Sequence, residues 1–297
     1  MRGLQYSVHA YAWTPSWSNA NLDLIDRAKS IGFDMIEIPL MELEKVDVVA
    51  IRRRVESAGI GVCTSTACSE ANDPTGEEPA TRARAIEYLK ACIRATSEMG
   101  AKVFTGVTYS AIGRRLDRMP DKTYWERAAN ALREAARFAG GFGVTVGVEP
   151  INRYESFLVN TCEQALQLIK MVGEPNLRVH LDAYHMNIEE TEFYGPTKAA
   201  AKLLCHYHLS ESHRGTVGTG LVDWKGIYRA LAEENYRGSV GLESFIEPSP
   251  AMASATCIWR PLAKSVDESL SVGLKYLRSL EKRFYGSHKR SVEVTAR

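Results

Sequence analysis

The sequence has no marked excess of charge of either sign. Its 37 lysines and arginines nearly balance 36 aspartates and glutamates, which leaves a formal charge of +1. This balance argues against a broadly basic surface that binds nucleic acid and favours a small polar or neutral substrate. We therefore expect no nucleic-acid partner.

The sequence also lacks paired cysteines and long apolar runs. Its six cysteines form no C-x-x-C motif and mostly lie in apolar or helical stretches, as buried free thiols do in a reducing compartment. No segment approaches the roughly 18 to 20 apolar residues of a membrane span, and the N-terminus lacks the apolar run of a signal peptide. These absences predict a cytoplasmic protein with no membrane partner.

What the chain does contain is a regular alternation of short and long segments. Short apolar runs rich in Val, Ile and Tyr alternate with stretches of helical periodicity, the pattern of βαβ units and a parallel sheet. Eight units in succession, with no linker rich in Pro or Ser, favour a single closed (β/α)8 barrel over an open doubly wound sheet. The predicted strands cover residues 4–13, 34–40, 61–67, 102–109, 144–150, 177–184, 205–211 and 239–245.

The predicted barrel forms one catalytic domain over residues 1–283 and includes a C-terminal helix. Residues 284–297, FYGSHKRSVEVTAR, lose the helical pattern. We expect them to form a tail that is mobile or docks at an interface.

Acidic and imidazole side chains stand at the ends of four consecutive predicted strands. Glu149 ends the fifth strand, Asp182 the sixth, His208 lies in the seventh and Glu243 in the eighth. Successive members are separated by about one strand-helix-strand repeat, so they recur at equivalent heights on the rim where barrels of this kind carry active sites. A buried carboxylate is costly unless it meets a cation or strong donors. The spacing therefore predicts that these four side chains meet around a cation.

Three carboxylates and one imidazole suit Mn²⁺, Mg²⁺ or Co²⁺ better than a thiolate-type zinc site does. An octahedral ion held by four protein ligands keeps two positions open for a chelating substrate. The structural alternative is that each residue caps a helix or pairs with an arginine. His206 shares a strand face with His208, and spacing alone does not decide which of the two is the ligand.

At these residues the chain resembles the ketose 3-epimerases, which include D-tagatose, D-allulose (psicose) and L-ribulose 3-epimerases within the xylose-isomerase-like barrel superfamily. The resemblance covers nearly the whole chain. It implies one divalent ion per subunit, Mn²⁺ before Co²⁺ or Mg²⁺, and a homodimer or homotetramer. The motifs that carry it are EPINRYE at 149–155, HLDAYHMNIEE at 180–190, HLSESHRG at 208–215 and LESF at 242–245.

The resemblance also assigns roles to individual residues. It implies metal binding by Glu149, Asp182, His208 and Glu243, and it makes His206 a barrel-layer residue. The residues that it implies for substrate binding are Glu155, His185 and Arg214, with His9, Ser65, Thr108 and Tyr109 near the far end of the sugar.

The implied reaction is inversion at C3 of free ketohexoses and ketopentoses, interconverting D-tagatose with D-sorbose, D-fructose with D-allulose, or L-ribulose with L-xylulose. Removing the C3 proton beside the C2 carbonyl and returning one to the opposite face requires two bases. Glu149 and Glu243 could alternate as base and acid through a cis-enediolate.

Three other functions remain open at this point. An aldose-ketose or hydroxypyruvate-type isomerase on the same barrel would share the four metal ligands. A nuclease of the endonuclease IV type clusters several zinc ions on many histidines, whereas this chain has seven histidines in all. A non-catalytic binding barrel is disfavoured by the pair of glutamates.

Overall fold

The computed structural model describes residues 3–295, and it describes side chains for residues 3–286. Eight parallel strands close a barrel in chain order, with the last strand paired to the first. This confirms the predicted (β/α)8 fold and excludes the open sheet. Within the described ranges, no helix is long and apolar enough to cross a membrane.

The strands are short, and most of their residues are buried because the barrel interior and the outer helices cover both faces. They are β1 Gln5–His9, β2 Met35–Pro39, β3 Gly61–Cys68, β4 Val103–Ala111, β5 Thr145–Val148, β6 Leu177–Asp182, β7 Leu204–His208 and β8 Ser239–Leu242.

The helices pack their apolar faces against the barrel, and several begin at side-chain caps. Asp47, Asp121, Thr161 and Asp223 each accept a backbone N–H in the first turn of a helix. The helices are α1 Asp23–Ile31, α2 Val48–Ala58, α3 Pro79–Glu98, α4 Lys122–Gly140, α5 Cys162–Val172, α6 Ala183–Glu189, α7 Tyr194–Ala200, α8 Trp224–Glu233, α9 Pro250–Thr256 and α10 Val266–Thr295.

Several strands end earlier than predicted because polar side chains take up the next backbone N–H groups. His9 ends β1 and accepts from the backbone N–H of Tyr11 through Nδ1. Asp182 ends β6 and accepts from the backbone N–H of Tyr184, in the first turn of α6. The polar residues at these strand ends therefore also fix the start of the following loop or helix.

The expected loss of helical structure from residue 284 is wrong for the backbone up to Thr295, because α10 continues to that residue. No proline interrupts the stretch, and Lys289, Arg290 and Glu293 favour a helix. Residues 296 and 297 lie outside the described residues. The boundary of the catalytic domain at residue 283 stays a prediction.

Glycines in the strands make room for a polar layer inside the barrel. A Cβ at Gly241 in β8 would lie 2.9 Å from His206 Nε2 and 2.5 Å from Ser7 Oγ. Gly106 in β4 has φ of 114°, and a Cβ there would collide with the Thr66 carbonyl of β3. The Gly106 carbonyl accepts from the backbone N–H of Glu149 at 3.1 Å, so this close approach also positions the end of β5.

Candidate active site

The four side chains predicted from the strand ends meet at the C-terminal mouth of the barrel. His208 Nδ1 lies 3.6 Å from one oxygen each of Glu149, Asp182 and Glu243. All four residues are buried. These distances are too long for hydrogen bonds, and His208 Nδ1 has no hydrogen-bond partner among the described side chains.

This spacing fits a shared cation. Oxygen and nitrogen atoms that bind one small divalent ion at about 2.1 Å lie roughly 3 Å or more from one another. The donor atoms of Glu149, Asp182 and His208 all lie within 4.8 Å of one another. An orphaned imidazole nitrogen facing three carboxylates therefore has the chemistry of a metal site.

The structure distinguishes the two histidines of β7. His206 Nδ1 pairs with Ser239 Oγ at 2.8 Å, and its Nε2 pairs with Glu37 Oε2 at 3.0 Å. Both nitrogens of His206 are thus engaged within the barrel layer. His208, two residues later, points Nδ1 at the carboxylates.

Arg214 supplies positive charge to this cluster. Its Nη1 lies 3.0 Å from Asp182 Oδ2 and also contacts Glu243 Oε2. The guanidinium stacks over the ring of Tyr184, with 4.1 Å between its Cζ and the ring centroid. Arg214 is buried, with φ of 60°, in a loop that Glu211 holds by accepting from three backbone N–H groups and the Trp224 indole.

The carboxylates of the cluster differ in proton affinity. Burial raises the pKa of Glu149 to about 7, although His208 beside it opposes the shift. Burial alone would also raise the pKa of Asp182, but the Arg214 guanidinium holds it well below its usual range. In the metal-free protein, Glu149 therefore binds a proton more readily than Asp182.

Two further predicted residues share the partner Asn152, and one of them lies beside Arg214. Glu155 Oε1 accepts from Asn152 Nδ2 at 2.7 Å. His185 Nδ1 accepts from the backbone N–H of Asn152 at 3.1 Å, and its Nε2 lies 3.2 Å from Arg214 Nη2. Burial lowers the pKa of His185 to about 4, so its ring is neutral near pH 7.

The residues predicted for the far end of a substrate divide into two pairs. His9 Nε2 lies 3.1 Å from Ser65 Oγ, and the His9 ring lies edge-on to His208 with 5.8 Å between centroids. Tyr109, in contrast, is fully buried and donates its hydroxyl to the Val159 carbonyl at 2.9 Å. Thr108 donates to the Gly147 carbonyl at 3.4 Å. His9 and Ser65 therefore lie beside the cluster. The hydroxyls of Thr108 and Tyr109 are instead used in hydrogen bonds to backbone carbonyls.

Sequence reasoning missed Glu37, Asn152 and His180. Glu37 lies in β2 and contacts both histidines of β7. His180 Nδ1 lies 2.8 Å from Thr105 Oγ1 and 3.6 Å from Glu149 Oε2. A signal was available for Glu37, because a glutamate inside the apolar run MIEIP requires a buried partner.

A family model described as xylose isomerase-like TIM barrel matches residues 25–272. The chain belongs to this family. The chain is 33% identical to an L-ribulose 3-epimerase from Methylomonas sp., and the match covers 93% of the chain and 97% of that relative. A ketose 3-epimerase from Arthrobacter globiformis is 34% identical over 87% of the present chain and 90% of the relative.

A solved structure extends the family relationship to three dimensions. The crystal structure of a D-allulose 3-epimerase from Methylomonas sp. in complex with D-allulose matches with a TM-score of 0.89 and 31% identity. The match covers 94% of the present chain and 98% of the other. The predicted resemblance to ketose 3-epimerases is confirmed, and this family member is a carbohydrate epimerase, hence an isomerase.

Proposed function

We propose that this chain is a metal-dependent ketose 3-epimerase that inverts C3 of free ketohexoses or ketopentoses. The observation that carries the proposal is the His208 imidazole nitrogen, unpaired among the described side chains and facing three carboxylate oxygens at 3.6 Å. Sequence similarity to ketose 3-epimerases supports the same activity.

Glu149, Asp182, His208 and Glu243 would hold one divalent ion, with Mn²⁺ preferred and Co²⁺ or Mg²⁺ as alternatives. Three carboxylates with a single imidazole suit hard cations of this kind. When bound, the ion would supply positive charge beside the sugar oxygens on C2 and C3, where negative charge develops.

Glu149 and Glu243 would exchange the C3 proton, because they directly follow different strands, β5 and β8, and can approach a sugar from different sides. One glutamate would remove the proton to give the cis-enediolate, and the other would return a proton to the opposite face. The burial that raises the pKa of Glu149 to about 7 favours a carboxyl that can both hold and release a proton. Asp182 and His208 would bind the ion without transferring protons.

The surrounding residues would bind and orient the sugar. Arg214 and His185 offer N–H groups near the cluster, and Glu155 offers a carboxylate that accepts hydrogen bonds from a hydroxyl. His9 and Ser65 would contact the far end of the sugar. We do not extend this role to Thr108 or Tyr109, since their hydroxyls bind backbone carbonyls.

The cellular compartment proposed for this activity is the cytoplasm, and the state of the cysteines supports it. All six cysteines are free, and only one of them is exposed, which fits a reducing cytoplasmic environment. Assembly as a homodimer or homotetramer remains part of the proposal and is measured by sedimentation equilibrium.

An assay on the purified protein loaded with Mn²⁺ tests the proposed reaction. We expect conversion between epimers in at least one of three pairs: D-fructose and D-allulose, D-tagatose and D-sorbose, or L-ribulose and L-xylulose. Only aldose products would support the isomerase alternative, and cleavage of abasic DNA would support the nuclease alternative. Activity that is unchanged after complete metal removal would contradict metal dependence.

The variants Glu149→Gln and Glu243→Gln test the two-base scheme. Each should abolish turnover in both directions, because each removes one of the two proton-transfer groups. The ion content of both variants must be measured, since the same residues would also bind the ion. A substantial residual rate in both single variants would rule out the scheme.

A further inference from the structure

Glu37 is a fully buried carboxylate on the side of His208 that faces away from the acidic cluster. It lies in β2, in register with His9 of β1, and is 0% exposed. Its Oε2 lies 2.9 Å from His208 Nε2 and 3.0 Å from His206 Nε2. Burying a carboxylate in such a place costs free energy, and hydrogen bonds or a positive charge must offset that cost.

The hydrogen bond to Glu37 determines where the His208 proton lies. A neutral imidazole carries one N–H, and an ionised carboxylate can only accept hydrogen bonds. Since Glu37 Oε2 lies at hydrogen-bond distance from His208 Nε2, the proton belongs on Nε2. In the neutral ring, the form that binds a cation, this leaves a lone pair on Nδ1, the atom that faces the three carboxylates.

We propose that Glu37 is a positioning residue that holds His208 in the Nε2–H tautomer, so that Nδ1 is free to bind the divalent ion. This inference rests on the proposed function, because it takes His208 to be a metal ligand. The carboxylate also fixes the ring plane and increases the basicity of Nδ1, as partners of metal-binding histidines do. In this scheme Glu37 would act through His208 and would bind neither the ion nor the sugar.

The contacts of His206 show that this histidine is not the one that Glu37 prepares for metal binding. Its Nε2 shares the same Glu37 oxygen, but its Nδ1 pairs with Ser239. Replacing His206 by glutamine retains an N–H donor beside Glu37 and does not disturb the Glu37 bond to His208. His206→Gln is therefore the matched control for a change in Glu37.

Glu37→Gln is the informative change because it keeps the shape of the side chain. A glutamine oxygen can take the place of Oε2, the oxygen that both imidazoles share, but a neutral amide accepts hydrogen bonds more weakly than an ionised carboxylate and holds the Nε2 proton of His208 less firmly. The His208 proton is then free to move to Nδ1. Loss of an outer partner of this type weakens metal binding by about 10- to 100-fold.

The test measures Mn²⁺ affinity by calorimetry on the metal-free protein. We expect Glu37→Gln to weaken binding by about 10- to 100-fold, and His206→Gln to stay within about threefold of wild type. Equal affinity of Glu37→Gln and wild type would overturn the inference and leave the proposed function standing. Equal weakening in both variants would also overturn it, because a general effect of barrel packing would then suffice. Failure of the wild type to bind any of Mn²⁺, Co²⁺ and Mg²⁺ would overturn both proposals.

A second measurement needs no change in Glu37 and applies even if Glu37→Gln does not fold. In Mg²⁺-loaded wild-type protein with ¹⁵N-labelled histidine, two-dimensional NMR shows which ring nitrogen of His208 carries the proton. The His208 signals are assigned by comparison with His206→Gln and by their broadening when Mn²⁺ replaces Mg²⁺. A proton on Nε2 supports the inference, and a proton on Nδ1 overturns it.

Discussion

Arg214 and Asp182 form a buried ion pair, with 3.0 Å between Nη1 and Oδ2. The same nitrogen contacts Glu243, so a single guanidinium neutralises part of a cluster of three carboxylates. The other terminal nitrogen of Arg214, Nη2, lacks an equally good hydrogen-bond acceptor at its contact with His185. His185 Nδ1 accepts from a backbone N–H, so its Nε2 carries the proton and faces the Arg214 Nη2 donor. We infer that the charge of Arg214 stabilises the metal-free site and that a bound cation would supply part of the same compensation.

Arg214→Met should therefore destabilise the metal-free protein more than the metal-bound protein. Removing one partner of a buried ion pair costs about 3 to 5 kcal/mol, whereas a bound divalent ion would supply the missing positive charge. Thermal unfolding with EDTA and with excess Mn²⁺ measures both states. Arg153→Met is the matched control, because the Arg153 pair with Glu189 has an exposed guanidinium that contributes little. Equal destabilisation of Arg214→Met with and without the ion would contradict the inference.

The stability of the metal-free protein should depend on pH through Glu149. Its pKa rises from the ordinary 4.5 to about 7 on folding, so the folded state binds the proton more tightly. The stabilisation from this proton is fully present below pH 4.5 and is lost as the pH rises through about 7. Glu149→Gln mimics the protonated carboxyl, so it should stabilise the metal-free protein at pH 8 by on the order of 3 kcal/mol and have little effect at pH 4.5. Chemical denaturation at the two pH values measures the difference, and a pH-independent effect would refute the assignment.

The polar layer inside the barrel depends on the missing side chain at Gly241. In Gly241→Ala the added Cβ would press on Ser7 Oγ and His206 Nε2, and overpacking of this kind costs about 1 to 3 kcal/mol. Gly140→Ala is the control, since a Cβ added at the end of α4 has no atom of the described residues within 4 Å, apart from its chain neighbours and its own helix backbone. Urea unfolding should show a loss of stability for the first variant only. A loss of equal size in both variants would contradict the packing argument.

The fold was predictable because strand and helix patterns alternate through eight units. The convergence of Glu149, Asp182, His208 and Glu243 was predictable for a related reason, since parallel strands of a closed barrel end on one rim. Strand limits were less predictable, because the side chains of His9 and Asp182 bind the backbone just beyond β1 and β6. The roles of these residues stay proposals.

The outer contacts of the site could not be predicted from the strand ends. Glu37 meets His208 across the barrel, and no local spacing relates residues so distant in the chain. Tyr109 shows the opposite case, since the resemblance to ketose 3-epimerases implied a substrate contact. Its hydroxyl instead binds the Val159 carbonyl, because β4 continues to Ala111 and the ring packs in the core.

Proton exchange with solvent tests the account most directly. The Mn²⁺-loaded protein is incubated in D₂O with the ketose of the panel that it converts, and NMR follows the deuterium content at each carbon. Transfer through Glu149 on one face and Glu243 on the other predicts deuterium at C3 of the product epimer before it appears in the remaining substrate. An epimer that retains protium at C3, or deuterium confined to C1 or C2, would contradict the account.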